Sequence, residues 1–151
     1  MKIGDFGLAR QENSDIKGDT EYPRKWASPE VLEHTKFSIK SDVWSFGIMS
    51  YEVMTYGSVP YADQNNAQVV DYVVSGKTME KSEEIEDDVW GFMKSLWRFE
   101  AEDRPSFSEV KKDIERLYHS HVSYLEPRDD IHKLVSSSTN SHVINVYDNV
   151  Q

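Results

Sequence analysis

The first groups able to do chemistry are those of Asp5-Phe6-Gly7, a carboxylate and an aromatic ring on a glycine turn, followed by Leu8-Ala9-Arg10. A polar stretch then leads to Pro23-Arg24-Lys25-Trp26-Ala27-Ser28-Pro29-Glu30, which sets two cations, an indole and a carboxylate close together. Ser41-Asp42-Val43-Trp44-Ser45-Phe46-Gly47 and Gly57-Ser58-Val59-Pro60-Tyr61 follow, and Trp97 with Asp103-Arg104-Pro105 closes the series. Taken singly these are ordinary: Asp5 a turn aspartate, Lys25 a surface cation, Trp26 a core indole. The chain contains no cysteine, so disulfides and thiolate metal sites are excluded.

These groups need elements to position them. Lys2-Ile3-Gly4 reads as the end of a short strand, and Gln11 to Glu21 as a long exposed loop of the kind that is usually functional or disordered. Pro29-Glu30-Val31-Leu32 predicts a short helix with proline in its first turn. The most informative helix is expected from Lys40 to Tyr56, with Ser41 as N-cap, Asp42 in the positively polarised first turn and Gly57 as the stop. Its apolar residues, among them Val43, Trp44, Phe46, Ile48, Met49 and Val53, go all the way round, which places it at the centre of the domain.

Further helices are expected over Asn66–Ser75, ended by Gly76, and over Ile85–Phe99, where Ile85, Val89, Phe92, Met93 and Leu96 recur at helical spacing. Ser106 and Glu109 make an S-x-x-E capping box ahead of Phe107, Val110, Ile114 and Leu117, the start of a fourth amphipathic helix. Beyond Ser123 the pattern decays, and Ser136 to Ser141 has linker composition.

At 151 residues the chain is long enough for one core, and 38% hydrophobic and 12% aromatic content excludes a wholly disordered protein. A net charge of −10 with no Lys/Arg stripe argues against a nucleic-acid partner. Glu80 to Asp88 reads as a solvated loop leading into a helix. No stretch reaches the roughly 18 apolar residues of a membrane span, and no apolar signal core opens the sequence, so a cytoplasmic protein, or the cytosolic part of a receptor, is expected.

In this order, the motifs of Lys2 to Leu117 resemble the protein kinases, from the metal-binding motif to the end of the catalytic domain. P-x-K-W before Pro29-Glu30, and G-x-x-P-Y after the central helix, look like the tyrosine-specific branch. Ser28 to Leu32 with Lys36-Phe37-Ser38 is most similar to the Src- and Tec-like cytoplasmic enzymes. The implied fold is mainly α, the C-terminal helical lobe of the kinase α+β fold, with the N-terminal β lobe and catalytic loop absent. Residues 1–122 would be the partial kinase domain and 123–151 a flexible tail.

The resemblance also implies roles. Asp5 would hold the magnesium that bridges the ATP phosphates, Phe6 would set the active or inactive pose, and Gly7 would let the backbone turn. Arg24, Lys25 and Trp26 would belong to the substrate-docking loop, where the tyrosine of a protein substrate is placed. Glu30 and Arg104 look like the buried ion pair of the family, and Asp42 and Trp44 like scaffold residues, Asp42 accepting from the backbone of the catalytic loop.

The resemblance stops short of a working enzyme. The sequence has no Gly-rich loop, no strand lysine and no catalytic-loop Asp, so no catalytic residue is assigned, and ATP and Mg are expected to bind the whole enzyme and not this chain alone. Met1 reads as the start of a truncated or alternative product. A central helix stripped of its cover would expose an apolar face, which predicts a marginal or self-associating fold. Gln11 to Glu21 holds no tyrosine, which leaves Tyr22, late for an activation-loop phosphosite, and Ser28 stands where alanine is usual. In the tail, Tyr147-Asp148-Asn149 resembles the Y-x-N pattern read by phosphotyrosine-binding adaptors, a second candidate phosphosite and a separate route to a docking role without catalysis.

Overall fold

A computed structural model of the chain describes residues 22–125, with side chains through 122. Asp5, Phe6, Gly7 and Tyr147 lie outside the described residues. The described elements are a 3₁₀ turn at Arg24–Trp26, α1 (Pro29–His34), α2 (Ile39–Met54), α3 (Asn66–Val74), α4 (Asp87–Leu96), a second 3₁₀ turn at Ala101–Asp103, and α5 (Phe107–Leu125). Among the described residues there is no strand. The chain divides into two units, Met1–Ile114 and Glu115–Gln151, the division falling within α5.

Local chemistry fixes where each helix begins. Pro29 sits in the first turn of α1, where its missing N–H costs no hydrogen bond. The N-cap of α2 is Ser38, not Ser41: the Ser38 hydroxyl accepts from the backbone N–H of Lys40 and Ser41, while the Ser41 hydroxyl accepts from the Ser38 N–H at 2.9 Å. Two serines three residues apart thus form a reciprocal box, and the helix starts at the earlier one. Asn65 and Gln68 make the equivalent box for α3, with 2.9 and 3.0 Å bonds. The Ser106–Glu109 box opens α5, Glu109 accepting from the Ser106 N–H at 2.7 Å.

The helices end earlier than apolar spacing predicts. The helix expected to reach Tyr56 stops at Met54, where Gly57, at φ 92°, turns the chain and donates its N–H to the Glu52 carbonyl at 2.7 Å. Gly76 at φ 83° plays the same part after α3. The helix expected over Ile85–Phe99 is α4, Asp87–Leu96; Ile85 stands before it, buried in a turn whose N–H bonds to Ser82. The last helix runs to Leu125, past the expected start of a tail at 123.

Within Met1–Ile114 the core gathers Val43, Trp44 and Ile48 of α2, Val69 and Val73 of α3, Met93 and Leu96 of α4, and Val110 of α5. Burial of each such aliphatic side chain contributes about 1.5–3 kcal/mol. Helix α2 packs on α4 and on both 3₁₀ turns, while α1 packs on α3. Although its apolar residues go all round, α2 is buried on one side only: Met49 is 47% and Val53 67% exposed. Gly47 lets α2 lie close against the end of α4, since a Cβ there would stand 2.5 Å from the Trp97 Nε1 and 3.2 Å from the Leu96 Cβ. Among the described residues no helix is long and apolar enough to cross a membrane.

Candidate substrate-docking site

Arg24, Lys25 and Trp26 share one short turn, and its neighbours hold it from several directions. Pro23 enters at φ −70°, and its carbonyl accepts the Trp26 N–H at 3.1 Å, closing the turn. The Lys25 ammonium donates to the Pro60 and Tyr61 carbonyls at 3.0 and 2.9 Å, tying the turn to the loop after α2. The Trp26 indole N–H donates to Glu52 Oε2 at 2.7 Å, and the Trp26 carbonyl accepts from the Ser45 hydroxyl at 2.8 Å, both on α2. Arg24, by contrast, is exposed, and among the described residues its guanidinium has no hydrogen bond or ion pair.

Upstream, the half-buried Tyr22 donates its hydroxyl to the Val31 carbonyl at 3.2 Å and meets the Phe37 ring edge-on at 5.5 Å. The phenol that sequence marks as a phosphosite is therefore engaged as a strut between the candidate docking segment and α1.

The far end of the segment is fixed by Glu30. Its carboxylate accepts from both terminal nitrogens of Arg104, each at 2.8 Å, a bidentate pair of the strong kind. Arg104 is 1% exposed, and its other donors go to the carbonyls of Arg98 (2.8 Å), Lys40 (3.0 Å) and Phe99 (2.9 Å). All five guanidinium N–H groups are thereby used. The ring of Trp44 lies 5.0 Å from the guanidinium carbon, and the Lys40 ammonium donates back to the Arg104 carbonyl. Burial works to raise the Glu30 pKa, but the hydrogen bonds from Arg104 and its charge outweigh that and hold it below its ordinary value.

Asp42 stands exposed in the first turn of α2. Partial burial of its carboxyl raises its pKa, and among the described residues no donor answers it. Sequence reasoning placed Arg24, Lys25, Trp26, Glu30, Trp44 and Arg104 in this region and missed the groups that fasten it: Glu52, Ser45, Lys40 and the carbonyls of Pro60 and Tyr61. For Glu52 a signal existed. It is the one carboxylate in the apolar second half of α2, seven positions after Ser45, so the two lie on one face.

A protein-family model for protein tyrosine and serine/threonine kinases matches residues 1–114. The chain belongs to this kinase family. Among its relatives, the tyrosine-protein kinase SRK3 of Spongilla lacustris is 41% identical over 131 residues, 83% of this chain and 39% of that protein. The human tyrosine-protein kinase ABL2 is 36% identical over 142 residues, 92% of this chain and 12% of the relative. The Drosophila melanogaster tyrosine-protein kinase Btk is 42% identical over 110 residues, 71% and 14%. The chain therefore spans well under half the length of these kinases, and its helices are consistent with the helical C-terminal lobe of the kinase fold.

Proposed function

We propose that this chain is the substrate-docking portion of a protein tyrosine kinase catalytic domain, and that the whole enzyme uses MgATP to phosphorylate protein tyrosines in cytoplasmic signalling. The observation that carries the reading is the docking segment itself. From Tyr22 to Glu30 it is fastened to α1, to α2, to the loop after α2 and to Arg104, a degree of fixation that suits a surface on which a peptide must be placed to within ångströms. Arg24, Lys25 and Trp26 act there together, Lys25 and Trp26 by holding the turn in shape.

Asp5 would supply one carboxylate to a magnesium held otherwise by phosphate oxygens and water, an oxygen donor set that this cation accepts. Bound there, the ion would neutralise charge on the ATP phosphates. The unanswered Asp42 carboxylate favours a partner backbone outside the described residues, as the catalytic loop would be. On this reading the 151-residue chain by itself docks substrate but transfers no phosphate.

The test is to read the transcript through the 5′ side of the Met1 codon. A reading frame that continues into a catalytic loop and a strand lysine supports the enzyme. An in-frame stop just upstream sinks it, and leaves a docking module without catalysis.

A further inference from the structure

Tyr56 stands at the tip of the turn that ends α2, 92% exposed, and among the described residues its side chain makes no hydrogen bond or ring contact. Its φ is 55°, in the left-handed region where a bulky side chain is uncommon and glycine sits at no steric cost. Packing gives no reason for a phenol here and backbone geometry argues against one, an outlier of the kind that directs attention to function. The backbone beneath it is well held. The Tyr56 N–H donates to the Val53 carbonyl at 3.3 Å, the Gly57 N–H to that of Glu52 at 2.7 Å, and the Ser58 hydroxyl to that of Thr55 at 3.0 Å. The ring thus projects from a fixed base, which suits entry of its hydroxyl into the pocket of another protein. None of the other described tyrosines of Met1–Ile114 combines these features: Tyr22 donates to the Val31 carbonyl, Tyr61 is buried, and Tyr51 and Tyr72 are half-buried against Trp97 and Tyr61.

We propose that Tyr56 is a phosphorylation site, modified by a protein tyrosine kinase with MgATP as donor, and that the phosphate loosens the hold of α2 on the Arg24–Trp26 turn. The phenol oxygen bonds to the γ-phosphorus of ATP as the bond from that phosphorus to the β,γ-bridging oxygen breaks. ADP leaves, and the phenol proton passes to the carboxylate base of the acting kinase. The product brings a charge of about −1.5 to −2 to the C-terminal end of a helix, where the macrodipole is already negative. The bond from Gly57 to the Glu52 carbonyl folds the turn back toward Glu52, which keeps the new charge within a Debye length, about 8–10 Å, of the carboxylate that accepts from the Trp26 indole. Like-charge repulsion and the opposed dipole therefore act on the same last turn of α2. The site stands whether or not the Arg24–Trp26 turn docks substrate.

The experiment incubates the ¹⁵N-labelled 151-residue chain with MgATP and a purified protein tyrosine kinase catalytic domain, one that phosphorylates a synthetic peptide of residues 50–62, and locates phosphotyrosine by peptide mass mapping. Phosphate should accumulate on Tyr56 while Tyr51, Tyr61 and Tyr72 stay unlabelled, and Tyr56→Phe should lose that label alone. In the phosphorylated chain the folding equilibrium constant, read from urea unfolding, should fall about two- to ten-fold, and the Trp26 indole resonance should shift. Before reaction, Tyr56→Phe should match the parent in both measurements, because the hydroxyl it lacks has no partner among the described residues. After the same reaction it should show neither change, which excludes phosphate elsewhere as the cause.

A folded chain that takes phosphate on Tyr22 or Tyr118 and not on Tyr56, or on no tyrosine at all, overturns the site. Label on Tyr56 that leaves urea unfolding and the indole resonance unchanged, or changes that appear equally in treated Tyr56→Phe, overturn its coupling to α2.

Discussion

The Glu30–Arg104 pair makes the strongest claim on stability, and its surroundings set the size of the effect. Glu30→Gln removes the negative charge from a guanidinium that is 1% exposed and turns an amide N–H toward one of its donors. Breaking a buried pair in this way costs about 3–5 kcal/mol. Arg104→Met strands a carboxylate that is only 17% exposed and also strips the donors from the Arg98, Lys40 and Phe99 carbonyls. It should cost at least as much as Glu30→Gln.

The double variant Glu30→Leu/Arg104→Met discriminates best. Where a buried pair serves only itself, apolar replacement of both partners is often neutral or stabilising. Here three carbonyls lose their donor, at about 1–3 kcal/mol for each one that water does not reach, so the double variant should remain at least about 2 kcal/mol less stable than the parent. Urea unfolding followed by tryptophan fluorescence measures all three variants. Against a total of about 5–15 kcal/mol for a domain, the shifts should be plain. A double variant as stable as the parent would refute the view that Arg104 works as a carbonyl clamp as much as an ion-pair partner.

The same pair sets the acid limb of stability. Arg104 holds the Glu30 pKa below its ordinary value of 4.5, so its contribution is complete above that pH and is lost as pH falls through the folded value; Glu30→Gln should flatten that part of the profile. At the alkaline end, burial first and Tyr72 second raise the Tyr61 pKa well above 10.0, and among the described residues its hydroxyl has no partner. Stability should therefore fall as pH rises past 10, and Tyr61→Phe should remove that fall at no cost at pH 7, read as unfolding midpoints across pH. Gly47→Ala gains about 1 kcal/mol in helix propensity, but its Cβ meets Trp97 at 2.5 Å and Leu96 at 3.2 Å, so the net outcome should be a loss of about 1–3 kcal/mol in urea. Ser38→Ala should cost about 1 kcal/mol, more than Ser41→Ala, if Ser38 is the cap of α2.

How far the fold could be read beforehand depended on whether its signals were local. The Ser106–Glu109 box and the proline at the start of α1 were legible because both partners lie within a turn of each other. The start of α2 was misplaced for a related reason: both Ser38 and Ser41 can cap, and only the backbone, extended at Ser38 with φ −155°, decides between them. The all-round apolar character of α2 pointed to a central helix, yet periodicity cannot say which side finds a partner, and Met49 and Val53 remain open. At the docking site the motif residues were recognisable as types, whereas Glu52, Ser45 and the Pro60 carbonyl act across 19 to 35 positions that no spacing rule connects.

The span between Glu30 and Arg104 bears on how the molecule assembles. The two residues are 74 positions apart, so their contact closes a loop that takes in α2, α3 and α4. The entropy of that closure has to be met before the pair forms, and local turns and caps form long before. The segment from Tyr22 to Glu30 should thus acquire its anchor late, after the helices between have found one another. A nascent or partly unfolded chain would carry Arg24 and Trp26 without presenting them in fixed array, so on the proposed docking reading the recognition of a peptide would itself report that the far end of the Glu30–Arg104 loop has folded.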